Sequence, residues 1–560
     1  MLALARVPLT LVVVTAALIM TPAHSYAAWL LDGNPICTAS GAQSNARCAP
    51  DGSGGAVILW TDERRGAGLV DLYGTRILGD GTIAPGWAPN GVALTTSGNV
   101  RSHSIVEDGA GGLLAFWLDN ASRQAYMQHV DGSGALAPGF VPGGNLLPIT
   151  VGGPSGWIVQ AVTDGASGAY LMWNRYGPNA DGIYITRLDG SGAFAPGWTS
   201  TGVLQANSDA FNPSNGFTAT IVGPDPSGGA LTGWLCSVED FPIGGHTAGG
   251  FTRTGSNGGS PAFQRGAPNP PSVGTPFSIV ADGAGGMFAS WASVETPFRR
   301  MQHFLADGSR AWPEPTTAPW NDRLLHDGSG GIYLFGRSSS PDQLELHRRA
   351  SDASIPSPWT PAGVVVSNAG SFTTFDAVRS SSLVYAAWSS GPAGANDVRA
   401  CAVTPDGAIA PGWAANGTVV CDALNTQILT SMIAVPPADA LVAWADVRSG
   451  APDIYAALLK PSGPPPLAVP PLAPAGGIAL VLAPNPASGS AQASFTLPGT
   501  GPAVLEVVDL AGRVLVRLEA LVSGGPQSLA LDTAPLAAGL YWARVQQGAR
   551  STALRFAVVH

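Results

Sequence analysis

Asp108-Gly-Ala-Gly-Gly-Leu-Leu-Ala-Phe-Trp117 is a glycine-rich turn running straight into an apolar strand that ends on tryptophan. The same unit recurs along the chain. Its turn returns as Asp51-Gly-Ser-Gly-Gly55, Asp164-Gly-Ala-Ser-Gly168, Asp225-Pro-Ser-Gly-Gly229, Asp282-Gly-Ala-Gly-Gly286 and Asp327-Gly-Ser-Gly-Gly331. Nine positions after the Asp stands Trp60, Trp117, Trp173, Trp234 or Trp291, and only the copy at Asp327 breaks the rule, with Gly336. Two further units, Leu383 to Trp388 and Leu441 to Trp444, keep the strand and its tryptophan without the Asp-Gly turn. Self-similarity at such a period is the signature of a repeat architecture.

Each unit parses into four short strands. His103 to Val106 leads into the turn, whose glycines accept the φ > 0 of a tight hairpin. Leu113 to Trp117 and Ala125 to Val130 follow, and a second turn reads Ala-Pro-Gly-Trp at 84–87, 195–198 and 410–413, and Ala-Pro-Gly-Phe at 137–140. A fourth strand holds Val92 to Leu94 or Thr418 to Val420. Four antiparallel strands per repeat is the make-up of a β-propeller blade. About eight units are expected, leaving seven or eight blades open. The eighth unit lacks a fourth strand before Pro461, whereas an orphan strand, Asp32-Gly-Asn-Pro-Ile-Cys37, precedes the first. Cys37 lies 23 positions before Trp60 (60 − 37), and Cys421 lies 23 before Trp444 (444 − 421). The orphan therefore matches a fourth strand, and the spacing predicts that it completes the last blade and closes the ring, removing open sheet edges.

Composition agrees with many short strands. Among 560 residues there are 73 Gly and 48 Pro, and only 11% are charged. The net charge is −10 and Lys460 is the single lysine. An acidic chain without basic clusters repels phosphate backbones, so no nucleic-acid partner is expected.

Arg6 followed by the apolar run Val7 to Met20 and small residues near Ala27 reads as a signal peptide over 1–27, with no membrane-spanning segment once it is cleaved. In an exported chain, cysteines are candidates for disulfides. The expected pairs are Cys401 with Cys421, on adjacent strands, and Cys37 with Cys48, leaving Cys236 as a buried free thiol. No pair has the CxxC spacing of a zinc site, so no metal or other cofactor is expected.

After a propeller body over 28–460, a Pro-, Ala- and Gly-rich stretch over 461–479 reads as a linker. Six β-rich segments follow between Ala491 and Val559, a pattern that fits a small immunoglobulin-like sandwich over 480–560. Pro484-Asn-Pro486, Val507-Val-Asp-Leu-Ala-Gly-Arg513 and Leu536-Ala-Ala-Gly-Leu-Tyr541 occur there in order, before a terminal strand ending at His560. In these motifs the region resembles the C-terminal sorting domain of type IX secretion substrates and the related FlgD-type immunoglobulin-like domain. The body resembles the repeat propellers of exported bacterial proteins. The resemblance implies recognition of 480–560 by an outer-membrane secretion machine, then release or attachment at the cell surface.

Chemistry is sparse. The tryptophans at the ninth position sit inside strands and are expected in the core, whereas those of Ala-Pro-Gly-Trp follow turns and are expected to be partly exposed. Trp60-Thr-Asp-Glu-Arg64 and Trp444-Ala-Asp-Val-Arg448 share a Trp-x-Asp-x-Arg pattern. Asp62, Arg64, Asp119, Asp446 and Arg448 are the candidate ligand-binding residues, with turn capping and local ion pairing as their alternative roles. No GxSxG, HExxH or catalytic carboxylate frame occurs, and His103, His129, His303, His326 and His347 are scattered over three units without ligand spacing. The sequence thus points to a secreted or surface-displayed binding protein for an extracellular protein or glycan. The alternative is a secreted polysaccharide- or glycoconjugate-acting enzyme with its site at the channel mouth.

Overall fold

The computed structural model describes residues 29–559 except 31, 150, 152–159, 176–181, 208–216, 225–228, 241–243, 259–262, 267–277, 293–298, 314–315, 318–322, 393, 464–478, 498–500, 510–512, 523–524 and 549. The expected signal peptide lies outside them, as do the side chains of Trp234 and Cys236 and most of the linker. The described residues are all-β and separate into two compact units, one built on Gly33–Ser462 and the other on Gly463–His560.

The first unit contains, among the described residues, eight four-stranded antiparallel sheets. The second sheet is typical: Val100–Glu107, Leu113–Asp119, Ala125–Val130 and Asn145–Leu146, paired in sequence order. Its second strand is buried at every position, as is Ala56–Asp62 in the first sheet. A strand covered on both faces has no wet side, which is why Leu-Leu-Ala-Phe-Trp reads as a continuous apolar run rather than an alternation.

The eighth sheet takes three strands, Gln427–Val435, Asp439–Asp446 and Asp453–Leu459, from the end of the unit and its fourth, Asn34–Cys37, from the beginning. Cys37 stands opposite Ile454 after a register shift, as Cys421 stands opposite Val398 after a shift in the seventh sheet. The intruding strand therefore has the geometry of an ordinary fourth strand. Gly33 shows why it fits. At φ +81° it passes over the Trp444 ring so closely that a Cβ would lie 2.2 Å from it, as Gly91 does over Trp60 and Gly417 over Trp388.

Apolar clusters lie between successive sheets. One joins Phe116, Leu118 and Met127 of the second sheet to Leu171 and Trp173 of the third. Another joins Val435, Leu441 and Ile454 of the eighth to Ala56, Ile58 and Trp60 of the first. The first strand of each sheet lies against that of the next, and Gln427–Val435 of the eighth lies against Gln43–Pro50 of the first.

The Ala-Pro-Gly-Trp tryptophans depart from expectation: Trp87, Trp198 and Trp413 are buried. Each indole N–H donates to a carbonyl of the following sheet, Trp87 to Gly132 O at 3.2 Å, Trp198 to Ser256 O at 2.9 Å and Trp413 to Pro461 O at 3.2 Å. Trp312 and Trp359 do the same, to Ser351 O and Pro405 O. Trp29 repeats the bond from the N-terminal segment to Gly79 O of the first sheet at 2.9 Å. A buried indole needs an acceptor, and the neighbouring turn provides it.

The Asp-Gly turns are held by their own carboxylate. Asp108 accepts the N–H groups of Ala110 and Gly112, both at 2.7 Å. A Cβ on Gly112 would meet Val130 O and the Asp108 carboxylate at 2.4 Å, so the fifth position of the turn tolerates no side chain. Gly112→Ala is expected to destabilise the protein by about 3 kcal/mol, since one contact is backbone and the other a carboxylate fixed by Ala110 N, Gly112 N and His129. Urea denaturation monitored by tryptophan fluorescence measures this, and an unchanged midpoint would contradict the packing described.

Among the described residues the second unit has seven strands rather than six, in the order Val514–Val522, Gly501–Val508, Gly539–Gln547, Arg550–Val558, Ala479–Ser488, Ser490–Leu497, Gly525–Asp532. The additional strand, Ala479–Ser488, runs through the Pro484-Asn-Pro486 motif. It pairs with Ser490–Leu497 over its first half and reaches Val558 through Ala487 at its end, so it joins two groups of strands. Leu482, Ala493 and Phe495 from one group and Leu505, Val545 and Phe556 from the other form one core.

Candidate functional site

Two of the candidate positions turn out to be copies of one arrangement. In the first sheet Asp62 accepts the Trp60 indole N–H at 2.9 Å, the Arg64 backbone N–H at 2.9 Å and the Arg64 guanidinium at 2.7 Å. That guanidinium also donates to Asn90 O at 2.8 Å and lies 3.7 Å from the centre of the Tyr73 ring. In the eighth sheet Asp446 accepts the Trp444 indole at 2.9 Å and the Arg448 guanidinium at 2.5 Å, and Arg448 stacks 4.0 Å from Tyr455. Both carboxylates are wholly buried.

A cysteine of the preceding sheet completes each cluster. Arg64 donates to Cys37 Sγ at 3.3 Å and Arg448 to Cys421 Sγ at 3.1 Å, with each thiol 3.7–3.8 Å from the carboxylate. The shared interval of 23 residues thus marks the same brace between neighbouring sheets. With its lone pairs occupied by indole, amide and guanidinium, neither Asp is open to a ligand as it stands. Asp119 has no Arg two positions on; it caps its own turn through Ala121 N, Ser122 N and Ser122 Oγ.

The cysteines correct a further expectation. Cys37, Cys48, Cys401 and Cys421 form no disulfide. Cys401 packs in the core between the sixth and seventh sheets and Cys421 in the core between the seventh and eighth, so adjacent strands present them to opposite faces. Cys37 belongs to the eighth sheet and is engaged by Arg64, while Cys48 stands opposite Ile58 in the first. Burial pushes Cys37, Cys48 and Cys401 up to about 12, leaving them protonated and weakly nucleophilic.

Sequence reading missed a second repeated network. Each turn Asp among the described residues is matched by a basic residue of the third strand: Arg76 to Asp51 at 2.9 Å, His129 to Asp108 at 3.1 Å, Arg187 to Asp164 at 2.8 Å, His303 to Asp282 at 2.9 Å and Arg348 to Asp327 at 2.8 Å. The signal was present as a basic residue 21 positions (Asp108 to His129) to 25 positions (Asp51 to Arg76) downstream. His347, in the unit whose second strand has Gly336 in place of tryptophan, instead lies beneath Gly363 and bonds Glu345 at 3.0 Å.

These pairs give stability a direction with pH. Burial by itself would raise Asp62 and Asp446, but the indole, the amide and the guanidinium outweigh it and hold both carboxyls below the ordinary range. Asp51, Asp108, Asp282 and Asp327 are lowered for the same kind of reason. A depressed folded pKa contributes stability above the unfolded value near ~3.9 that is lost as pH falls through the folded value. Asp439 and Asp453, raised by burial, act in the opposite sense as pH rises. The melting temperature is therefore expected to fall steeply below about pH 4, and Asp62→Asn/Asp446→Asn to start lower and lose less. Equal acid slopes in the two proteins would contradict this assignment.

Among the described residues no group of three or more His, Cys, Asp or Glu is placed to hold a metal ion. In the second unit the ordered motifs are turn chemistry. Arg513 donates to the Asp509 carboxylate through N at 2.9 Å and Nε at 2.7 Å. Tyr541 Oη donates to Ala537 O at 2.7 Å, and Val559 N to Ala487 O at 2.9 Å. The motifs place the two ends of the module side by side.

Residues 481–559 match the family of secretion system C-terminal sorting domains. The protein is therefore secreted or held at the outer cell surface, and its sorting domain interacts with the type IX secretion machinery. No curated protein matches the chain. Solved structures that match in part include a eukaryotic initiation factor (10% identity, 77% of this chain and 89% of that one, TM-score 0.38). A Pyrococcus horikoshii acylaminoacyl peptidase matches at 10% identity over 71% of this chain and 57% of its own, TM-score 0.38. A sucrose-6-phosphate hydrolase from Lactobacillus gasseri matches at 11% identity over 95% and 89%, TM-score 0.28. These likenesses are too distant to bear on function.

Proposed function

We propose that the eight sheets close into one eight-bladed β-propeller over residues 28–460, latched by Asn34–Cys37, and that this ring is a binding body for an extracellular protein or glycan. A cleaved signal peptide over 1–27 would precede it. A linker over 461–479 would join it to an immunoglobulin-like sorting module at 480–560. Closure is supported by the contact of the first strands of the first and eighth sheets and by the bond from Trp29 to Gly79. Tyr541, tied to the backbone upstream as at the corner of an immunoglobulin sandwich, supports the nature of the module.

The observation that carries a binding role over catalysis is the internal occupation of the candidate polar residues: Asp62 with Arg64, Asp446 with Arg448, and Asp119 within its own turn. Groups held this way brace a scaffold, and they leave recognition to loop surfaces. Fractionation of cells expressing the chain with and without residues 480–560 tests the address. Loss of the protein from the medium and outer surface on truncation is the expected result, and unchanged localisation defeats the sorting role. Exposing the intact chain to arrays of glycans and extracellular proteins tests the body. Retention without turnover is expected, whereas cleavage of a glycan would transfer the reading to an enzyme acting at the channel mouth.

A further inference from the structure

Val514-Leu-Val-Arg-Leu-Glu-Ala-Leu-Val522 forms one edge of the C-terminal sheet. It pairs with Gly501–Val508 on one side and, among the described residues, with no strand on the other. Edge strands are normally kept short, charged or bulged, because their free N–H and C=O groups template further pairing. This one is nine residues long, and Val514, Leu515 and Leu518 are 46%, 46% and 36% exposed.

Two observations indicate what completes it. First, the strand is close to a palindrome about Leu518: Val514 mirrors Val522, Leu515 mirrors Leu521, Val516 mirrors Ala520 and Arg517 mirrors Glu519. Second, a row of alternating charge runs across the sheet and stops at this edge. Arg544 bonds Glu506 at 2.5 Å and Glu506 bonds Arg517 at 2.6 Å, the three standing opposite one another in register. Arg517 also bonds Glu519 of its own strand at 2.7 Å, so the edge carries an opposite-sign pair astride Leu518, and a copy turned end for end would meet it with opposite signs facing.

We propose that a second copy of this chain joins this edge, its edge strand pairing antiparallel with the first about a two-fold axis at Leu518. In that register Arg517 of each copy faces Glu519 of the other, the row continues with alternating sign, and apolar positions face apolar positions. The interface is isologous, so both copies present the same patch and the assembly stops at two. Joining edges in this way satisfies the free backbone groups by the same strand addition that peptide-binding sheets use.

Sedimentation velocity of the intact secreted chain, from low to high micromolar concentration, is expected to show the mass doubling. Arg517→Glu or Glu519→Arg alone sets like charges across the axis and is expected to weaken association at least ~10-fold. An equimolar mixture of the two variants restores opposite signs on both sides and is expected to dimerise. The mixture also controls for folding, since an unfolded variant cannot recover a partner. A chain that stays monomeric, single variants that still dimerise, or a mixture that does not associate would each overturn the proposal. So would a dimer formed only through a strand of the export machinery.

Discussion

Deleting Trp29–Cys37 is expected to cost about 5 kcal/mol of stability, enough to consume much of the reserve of an ordinary domain. The segment contributes buried Trp29, Ile36 and Cys37 to the cluster between the eighth and first sheets. It also covers the Trp444 ring through Gly33 and pairs with Asp453–Leu459. Without it the eighth sheet gains an open edge, so aggregation accompanies the loss. Chemical denaturation and light scattering of the deleted chain give the measurement. Gly33→Val makes a sharper probe, since its side chain would enter the Trp444 ring at φ +81°. A deletion variant with the wild-type midpoint would mean that the strand is an appendage rather than part of the last sheet.

The second large effect belongs to the other end. Removing Arg550–His560 is expected to abolish export as fully as removing the whole module. By position these residues are a tail, yet Arg550–Val558 lies in the interior of its sheet, between Gly539–Gln547 and Ala479–Ser488. Phe556 and Val558 belong to the core. Their loss separates the two groups of strands, and an unfolded module presents nothing for an export machine to recognise. Comparing short and long truncations in the fractionation experiment decides it. Surface display retained by the short truncation would show that recognition needs only a linear upstream motif.

Much of the architecture was legible before any coordinates. The Asp-Gly-x-Gly-Gly turns could be read because their chemistry is local: a carboxylate closes on amides two and four positions ahead, and a close-packed backbone admits only glycine. The equal intervals from Cys37 to Trp60 and from Cys421 to Trp444 located the displaced strand, because a repeat keeps its register even when its pieces are exchanged along the chain. The ordered motifs of the C-terminal region pointed to the sorting domain, and the family match over 481–559 agrees. The extra strand Ala479–Ser488 went unread because Pro484 and Pro486 signal interruption, whereas the strand uses that point to pass from one group to the other.

The candidate site was legible only in outline. Trp-x-Asp-x-Arg stood out as a pattern, but a pattern does not say what lies across from it. Asp62 and Asp446 proved to be closed by their own Trp and Arg and by a cysteine of the preceding sheet. The turn tryptophans were expected to be partly exposed because they follow turns. Their acceptors, such as Gly132 O for Trp87, lie on the next sheet.

By itself, then, the sequence determined the strands, their grouping in fours, the stray strand that completes the last group and the sorting module at the end. Each depends on interactions within a few residues or on a period that any stretch of chain displays. The tertiary structure decided which face each side chain meets, and hence that Cys37, Cys48, Cys401 and Cys421 form no disulfide and that Asp62 and Asp446, with their arginines, brace neighbouring sheets. That depends on how one sheet packs on the next, a contact between residues some 25 to 60 positions apart or, at the junction of first and last sheets, nearly the length of the unit.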